Sequence, residues 1–175
     1  MLPYGGRDLA RAYRTVRKNT IQTAQEIPEA QYGFSPSPDS RTVRQTLAHI
    51  AMSDGFSAIH RDGLTSFDGV NFQEFFAPIA AEEQKPRSKA ELIALLTDRG
   101  EATASWMETL SDAFLSEPFR MSPGQEPAVK TRLEMIMGMK EHEMHHRGQL
   151  MVMLRMLGGV PHLTRQRQEH MAAQR

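Results

Sequence analysis

The stretch from Thr131 to Gly159 restricts the fold of this chain most, because it carries the longest helical pattern in the sequence. On a helix that turns about 100° per residue, several of its apolar residues and two of its histidines fall on one stripe about 100° wide. The stripe comprises Met135, Met139, His142, His146, Gln149, Leu150, Met153 and Leu157. The pattern therefore predicts a long amphipathic helix that turns His142 and His146 towards a core, whereas His145 projects to the edge of the stripe or beyond it.

Two histidines one helical turn apart have a spacing that lets both imidazoles reach one metal ion. The alternative interpretation is a pair of core histidines, each with its own hydrogen-bonded partner. Burying both rings without a shared partner is costly, which favours a ligand between them. The spacing of His142 and His146 alone leaves both interpretations open.

Composition restricts what such a ligand site could be made of. The chain has no cysteine, which excludes disulfides, thiolate zinc sites and a cysteine nucleophile, so imidazole, carboxylate or solvent must hold any metal. Its 21 basic and 21 acidic side chains balance to a formal net charge of zero. No basic field therefore favours nucleic acid or an anionic membrane as a partner.

Length and hydropathy indicate the class of protein. We expect residues 1–175 to form a single domain, with residues 162–175 as a short helix or a loose tail. The sequence contains neither an apolar run of about 18 residues nor a basic-then-apolar leader. We therefore expect a cytoplasmic protein.

Helix start and stop signals predict an all-α fold. Ser or Thr followed three residues later by Glu or Gln marks helix starts at Thr42 and Ser88. The predicted helices cover residues 7–27, 42–61, 88–110 (with an apolar face reaching about residue 114) and 131–157. No segment shows the alternation that is typical of strands. Four long amphipathic helices in one domain predict a four-helix bundle, whose core can build metal sites from facing helices.

The connection between the second and third predicted helices is long, which is often a sign of function. It contains an aromatic stretch at residues 72–76, FQEFF. We expect this stretch to form a short extra helix, or lid, over one end of the core.

The second predicted helix carries His49 and His60, which are eleven residues apart. On a continuous helix that separation is about 16 Å, too far for the two rings to share one ion. His49 lies at the margin of its apolar stripe, so periodicity alone does not select it.

Residues 142–146 also read H-E-x-x-H, the pattern of zinc proteases in which the glutamate is the general base. The longer form of that pattern fails, because Gln149 and Val152 stand where glycine and a third histidine are needed. Glu143 projects to the border of the apolar stripe. We therefore interpret it as a boundary residue rather than a base.

Several blocks of the sequence together resemble one known family. The blocks are residues 142–150, HEMHHRGQL; 154–161, LRMLGGVP; 34–36, FSP; 41–43, RTV; and 47–50, LAHI. They are similar to the signature of the DinB-like (YfiT-like) metal-binding four-helix-bundle family. The resemblance implies a bundle whose divalent metal is held by one histidine of the second helix and two of the fourth. On this chain those ligands are His49, His142 and His146, with His60 and His145 outside the set.

Three imidazoles would form a neutral ligand set that suits zinc or nickel first, with iron or copper as alternatives. In zinc enzymes, three protein ligands typically leave a position for water or substrate. Gln149, one turn after His146, either hydrogen-bonds a ligand ring or packs between helices. The sequence assigns no catalytic residue.

The resemblance implies a thiol-dependent transferase that uses a low-molecular-weight thiol. The alternatives are a hydrolase that uses metal-bound hydroxide and a non-catalytic bundle with a structural ion. The expected partners are a small-molecule substrate or thiol, and not nucleic acid or membrane. A second copy of the chain is also expected, in a homodimer through the first and fourth helices.

Overall fold

The computed structural model describes residues 4–174 as a helical bundle with a very small sheet. Its helices are α1 (Gly6–Glu26), α2 (Val43–Met52), α3 (Ala58–Arg61), α4 (Phe72–Glu83), α5 (Lys89–Glu108), α6 (Asp112–Ser116), α7 (Arg132–Met156) and α8 (His162–Ala173). Single 3₁₀ segments cover Glu29–Gln31 and Ser53–Ser57, and strands β1 (Pro118–Arg120) and β2 (Val129–Thr131) pair antiparallel. The predicted all-α four-helix bundle is confirmed, and its four helices are α1, α2, α5 and α7.

The order of the helices around the bundle differs from their order in the chain. Helix α1 packs mainly on α5 and α7, and α2 contacts the same two bundle helices in addition to α4. Because each helix of such a bundle has two neighbours, α1 and α2 lie on a diagonal. This arrangement places α2 directly beside α7, which is what brings the histidines of the two helices together.

Two apolar clusters fill the bundle. One contains Leu47, Ile50, Leu96 and Leu150, contributed by α2, α5 and α7. The other contains Leu9, Tyr13, Met107, Ile136 and Met139, contributed by α1, α5 and α7. Burial of these faces stabilises helices that would be marginal in water by themselves.

Reciprocal capping boxes start three of the long helices. In each box the N-cap hydroxyl accepts the backbone N–H of residue N3, while the N3 side chain accepts the N-cap N–H. The pairs are Thr42 with Gln45, Ser88 with Glu91 and Thr131 with Glu134. The predicted starts of the second, third and fourth bundle helices are therefore confirmed.

The predicted continuous helix over residues 42–61 is wrong, because α2 ends at Met52 and a 3₁₀ segment separates it from α3. Ser53 donates its hydroxyl to Ile50 O at 2.8 Å. Gly55 lies so close to α4 that a Cβ there would stand 2.8 Å from Ile79 Cδ1. Serine, aspartate and glycine are weak helix formers, so local and tertiary contacts decide the geometry of this segment.

The end of the third helix and the following connection also differ from the prediction. Helix α5 ends at Glu108, and Ser111 starts the separate helix α6 by accepting the N–H of Phe114 at 3.1 Å. The two strands were not predicted. Each has three residues, and Phe119 alone among the residues of β1 is buried, so no alternation can be read from so short a segment.

Helix α4 is the predicted extra helix, although it extends to Glu83 rather than ending near residue 76. It packs against α2. Its phenylalanines join Phe56 and Phe67 in an aromatic cluster, in which Phe56 stacks on Phe76 with ring centroids 5.9 Å apart. We call α4 the lid helix.

The tail of the chain was predicted to be either a short helix or a loose segment. It forms a helix, α8. His162 at its start is buried and lies against α1, where its Nε2 is 3.3 Å from Asn19 Oδ1. None of the helices within residues 4–174 is both long enough and apolar enough to span a membrane.

Candidate metal centre

Three histidine rings converge where α2 faces α7. His142 Nε2 lies 3.0 Å from His49 Nε2 and 3.1 Å from His146 Nε2. One nitrogen from each ring can be chosen such that all three lie within 4.8 Å of one another. Helix α2 supplies His49, and one turn of α7 supplies the other two, so neighbouring helices build the cluster. We call His49, His142 and His146 the histidine cluster.

The outer nitrogens of two rings have hydrogen-bond acceptors. His49 Nδ1 lies 2.7 Å from Glu83 Oε1, and His146 Nδ1 lies 2.8 Å from Gln149 Oε1. An ionised carboxylate and an amide oxygen can only accept, so both Nδ1 atoms carry the proton. In a neutral ring the other nitrogen is then a lone pair.

This assignment leaves the centre of the cluster short of protons. His49 Nε2 and His146 Nε2 are both acceptors, and His142 Nε2 has one proton at most to share between them. Three nitrogens thus meet around a single proton. A shared cation would satisfy all three lone pairs, whereas the protein alone cannot.

Burial keeps the cluster in the form that binds metals. Burial lowers the pKa of His142 to about 4, and the nearby His146 and His49 lower it further in the same direction. Burial also lowers the pKa of His146. At neutral pH both rings are therefore uncharged, as metal coordination requires.

The geometry of the cluster fits one ion. Zn–N bonds of about 2.0–2.1 Å at a tetrahedral angle place ligand nitrogens about 3.3 Å apart. The two close pairs here are 3.0 and 3.1 Å apart, so small movements of the rings would reach that geometry. Within the described part of the chain, the group contains three histidines and no carboxylate. Such a site leaves a position for an external ligand.

The other two histidines singled out from the sequence lie outside the cluster. His145 is exposed on α7, with its Nε2 3.2 Å from Gln149 Nε2. His60 is buried elsewhere, where its Nδ1 accepts from Arg132 Nη1 at 3.2 Å. Two roles were predicted for Gln149, and the structure shows the hydrogen bond to His146 rather than packing between helices.

Glu143 is not the boundary residue that its projection indicated, because its side chain is completely buried. Both of its oxygens accept from Arg17 Nε at 3.0 Å. Arg17 also donates to Leu96 O and to Tyr13 Oη, each at 2.7 Å. This network ties α1, α5 and α7 together beside the histidine cluster, and it leaves Glu143 no freedom to be the base of a protease.

Glu83 is the functional candidate that sequence reasoning missed. It lies 34 residues after His49 in the chain, at the end of the lid helix. The sequence indicates at most that Glu83 lies on the inner face of that helix. Because the connection is long, the sequence does not indicate which bundle helix this face contacts.

Comparison with known proteins identifies the family of this chain. The DinB superfamily profile matches residues 12–150, which include every residue of the histidine cluster. The chain belongs to the DinB superfamily. No curated protein matches it at a significant level.

Solved structures of other proteins share the fold. YjoA of Bacillus subtilis, a DinB-like protein, is 22% identical, with a TM-score of 0.63 over 87% of this chain and 92% of that one. YfiT of Bacillus subtilis is described as a probable metal-dependent hydrolase with an unusual four-helix bundle topology; it is 15% identical, with a TM-score of 0.67 over 88% of each chain. An uncharacterised protein of Clostridium difficile 630 is 16% identical, with a TM-score of 0.62 over 86% of this chain and 95% of that one. At these identities the likeness shows the DinB fold alone.

Proposed function

We propose that this member of the DinB superfamily binds one divalent transition metal at His49, His142 and His146 and is a metal-dependent enzyme. The observation that carries the proposal is the meeting of three imidazole nitrogens around at most one proton. Zinc or nickel is the proposed metal, with iron or copper as alternatives, since imidazole suits all four.

The residues of the chain prepare this site in two ways. Glu83 and Gln149 hold the Nδ1–H groups of two rings, which turns their Nε2 lone pairs to the centre. The ligand set is neutral, so most of the charge of an ion would remain available to an incoming anion. When bound, a divalent metal lowers the pKa of a small nucleophile and polarises a substrate.

The first candidate reaction is thiol-dependent transfer to an electrophilic small molecule, which the family resemblance implies. Its support in this chain is the group of three histidines without a carboxylate, since a metal with three protein ligands would keep a position to which a thiolate could bind. The second candidate is hydrolysis, which the description of YfiT favours. Both reactions need the same three ligands and an accessible position next to them.

A cobalt-loaded protein tests the proposal directly. We expect the purified chain to bind one Co²⁺ and to develop a sulfur-to-metal charge-transfer band when small thiols are added. His142→Ala should abolish both signals, because it removes the ring that bridges the other two. Failure of the wild-type protein to bind any divalent transition metal would refute the metal site.

The same preparation separates the candidate reactions. A thiol-dependent band together with turnover of electrophiles supports transfer. Turnover of ester or amide substrates without any thiol, lost on chelation and restored by metal, supports hydrolysis. A loaded protein that responds to no exogenous ligand would contradict both enzymes and indicate a structural ion.

A further inference from the structure

The contact between His49 and Glu83 joins the histidine cluster to a separate element. Their 2.7 Å hydrogen bond connects α2 to the last residue of the lid helix. Both side chains are shielded from solvent, with 19% of His49 and 12% of Glu83 exposed. An ion pair or charge-assisted hydrogen bond at this depth is screened less than one at the surface.

The lid helix is also held to the rest of the protein by apolar contacts at its partly exposed surface. None of its residues is fully buried. Its phenylalanines pack against Phe56 and Phe67, and Ile79 packs against Gly55 and the edge of the core. Pro78 within the helix removes one backbone hydrogen-bond donor. These apolar contacts lie at Ile79 or before it, so the part-buried bond of Glu83 is what links the last turn of the lid helix to α2.

We infer that Glu83 is a positioning residue that orients His49 for metal binding and, because it ends the lid helix, couples metal binding to docking of that helix. This inference rests on the proposed metal centre. Glu83 is not one of the three ligands. Its bond to Nδ1 places it on the opposite side of the imidazole from the cluster.

The coupling follows from the chemistry of the imidazole ring. A cation on Nε2 withdraws electron density and makes Nδ1–H a stronger donor, which strengthens its bond to the Glu83 carboxylate. Conversely, the carboxylate makes Nε2 a better ligand and fixes the ring orientation. By linkage, the factor by which docking of the lid helix strengthens metal binding equals the factor by which the metal strengthens docking.

Glu82 provides a matched control. It has the same charge, is adjacent on the same helix, and pairs with Lys85 and with Arg87 at 2.8 Å rather than with a histidine. Glu82→Gln and Glu83→Gln remove the same charge from the same end of the lid helix, so an effect of net charge alone would appear in both variants. An effect that acts through His49 would be weakened only in the second variant.

Zinc affinity, measured by competition with a chromophoric chelator, is the first test. We expect Glu83→Gln to weaken zinc binding by about 10–100-fold, the typical effect of removing such a partner of a ligating histidine. Glu83→Ala should weaken it at least as much, because the glutamine oxygen can still accept from Nδ1–H. Glu82→Gln should leave the affinity unchanged.

Hydrogen exchange of the backbone amides in residues 72–83 is the second test, with and without saturating zinc. We expect zinc to slow exchange in the wild-type protein and in Glu82→Gln, and to have little effect in Glu83→Gln. A merely structural role of Glu83 would speed exchange equally with and without the metal. The helical circular dichroism of each variant reports whether the bundle is intact.

The outcomes separate this inference from the proposed function. If wild-type protein binds no metal, the metal centre itself fails. If wild-type protein binds zinc and Glu83→Gln matches Glu82→Gln in both affinity and exchange, the metal centre stands and the role of Glu83 is overturned.

Discussion

His145 and His146 are adjacent in the chain but have opposite surroundings. The first is exposed, and the second is buried with its Nε2 3.1 Å from that of His142. We expect His146→Ala to weaken metal binding by more than the roughly 10–100-fold that loss of an outer partner costs, because it removes a ligand. His145→Ala should keep its metal. Metal content after dialysis against a weak chelator measures both, and the reverse order would show that the helix projection is wrong.

His60 is a buried histidine with no role in the cluster. Burial, with a smaller contribution from Arg132, lowers its pKa from 6.5 to about 4. Its Nδ1 accepts from Arg132, and within residues 4–174 its Nε2 has no hydrogen-bond partner. Protonation of this ring is therefore much less favourable in the folded protein than in the unfolded one.

A dependence of stability on pH follows from this difference. Above pH 6.5 the ring is neutral in both states and contributes nothing. As the pH falls from 6.5 towards about 4, the unfolded state binds a proton that the folded state does not, so the free energy of unfolding decreases, by about 3 kcal/mol in total. His60→Gln keeps an acceptor for Arg132 and should flatten this part of the profile. Urea unfolding of metal-free wild-type protein and His60→Gln between pH 7 and 4 measures how the free energy of unfolding of each depends on pH. Parallel pH profiles for the two proteins would contradict the assignment to His60.

At the scale of elements, two glycines within helices have opposite surroundings. Gly100 on α5 lies against α1, where a Cβ would stand 2.7 Å from Arg17 Cγ. At Gly138 on α7, a Cβ would meet nothing within 4 Å. The first glycine therefore permits close approach of two helices, whereas the second only lowers helix propensity.

The two alanine variants should change stability in opposite directions. Gly100→Ala displaces Arg17 from its bonds to buried Glu143, and we expect a loss of about 1–3 kcal/mol, as is typical of overpacking. Gly138→Ala should stabilise the protein by up to about 1 kcal/mol through helix propensity. Thermal or urea unfolding compares them. Equal effects would mean that the contact of α1 with α5 tolerates the added methyl group.

At the scale of the whole molecule, one exposed face of α7 carries three apolar side chains. Met144, Val152 and Met156 on this face are 42%, 54% and 56% exposed. They lie at intervals of eight and four residues, which keeps them on one side of the helix. The homodimer expected from the sequence stays a prediction, and this face is where α7 would contribute to it.

Light scattering at micromolar concentration tests the association. We expect the mass of a dimer for the wild-type protein and that of a monomer for Val152→Glu, since a charge would then be buried in the contact. A monomeric wild-type mass would remove the prediction.

The sequence by itself determined the features that depend on neighbours along the chain. The 3.6-residue period of α7 predicts its inner face and separates His142 and His146 from His145. The side chains of Thr42 and Ser88 predict helix starts because their bonds span only three residues. Family resemblance, rather than periodicity, selected His49.

Only the tertiary structure decided the features that join distant segments. Glu83 meets His49 across 34 residues, and Glu143 meets Arg17 across 126. A helical projection can show which face a residue occupies, but not which helix covers that face. The break at Ser53–Ser57 has the same origin, because the contact of Gly55 with the lid helix forms only when the bundle is assembled. Periodicity follows from local backbone geometry, whereas pairing follows from the packing order of the helices, which the local pattern does not contain.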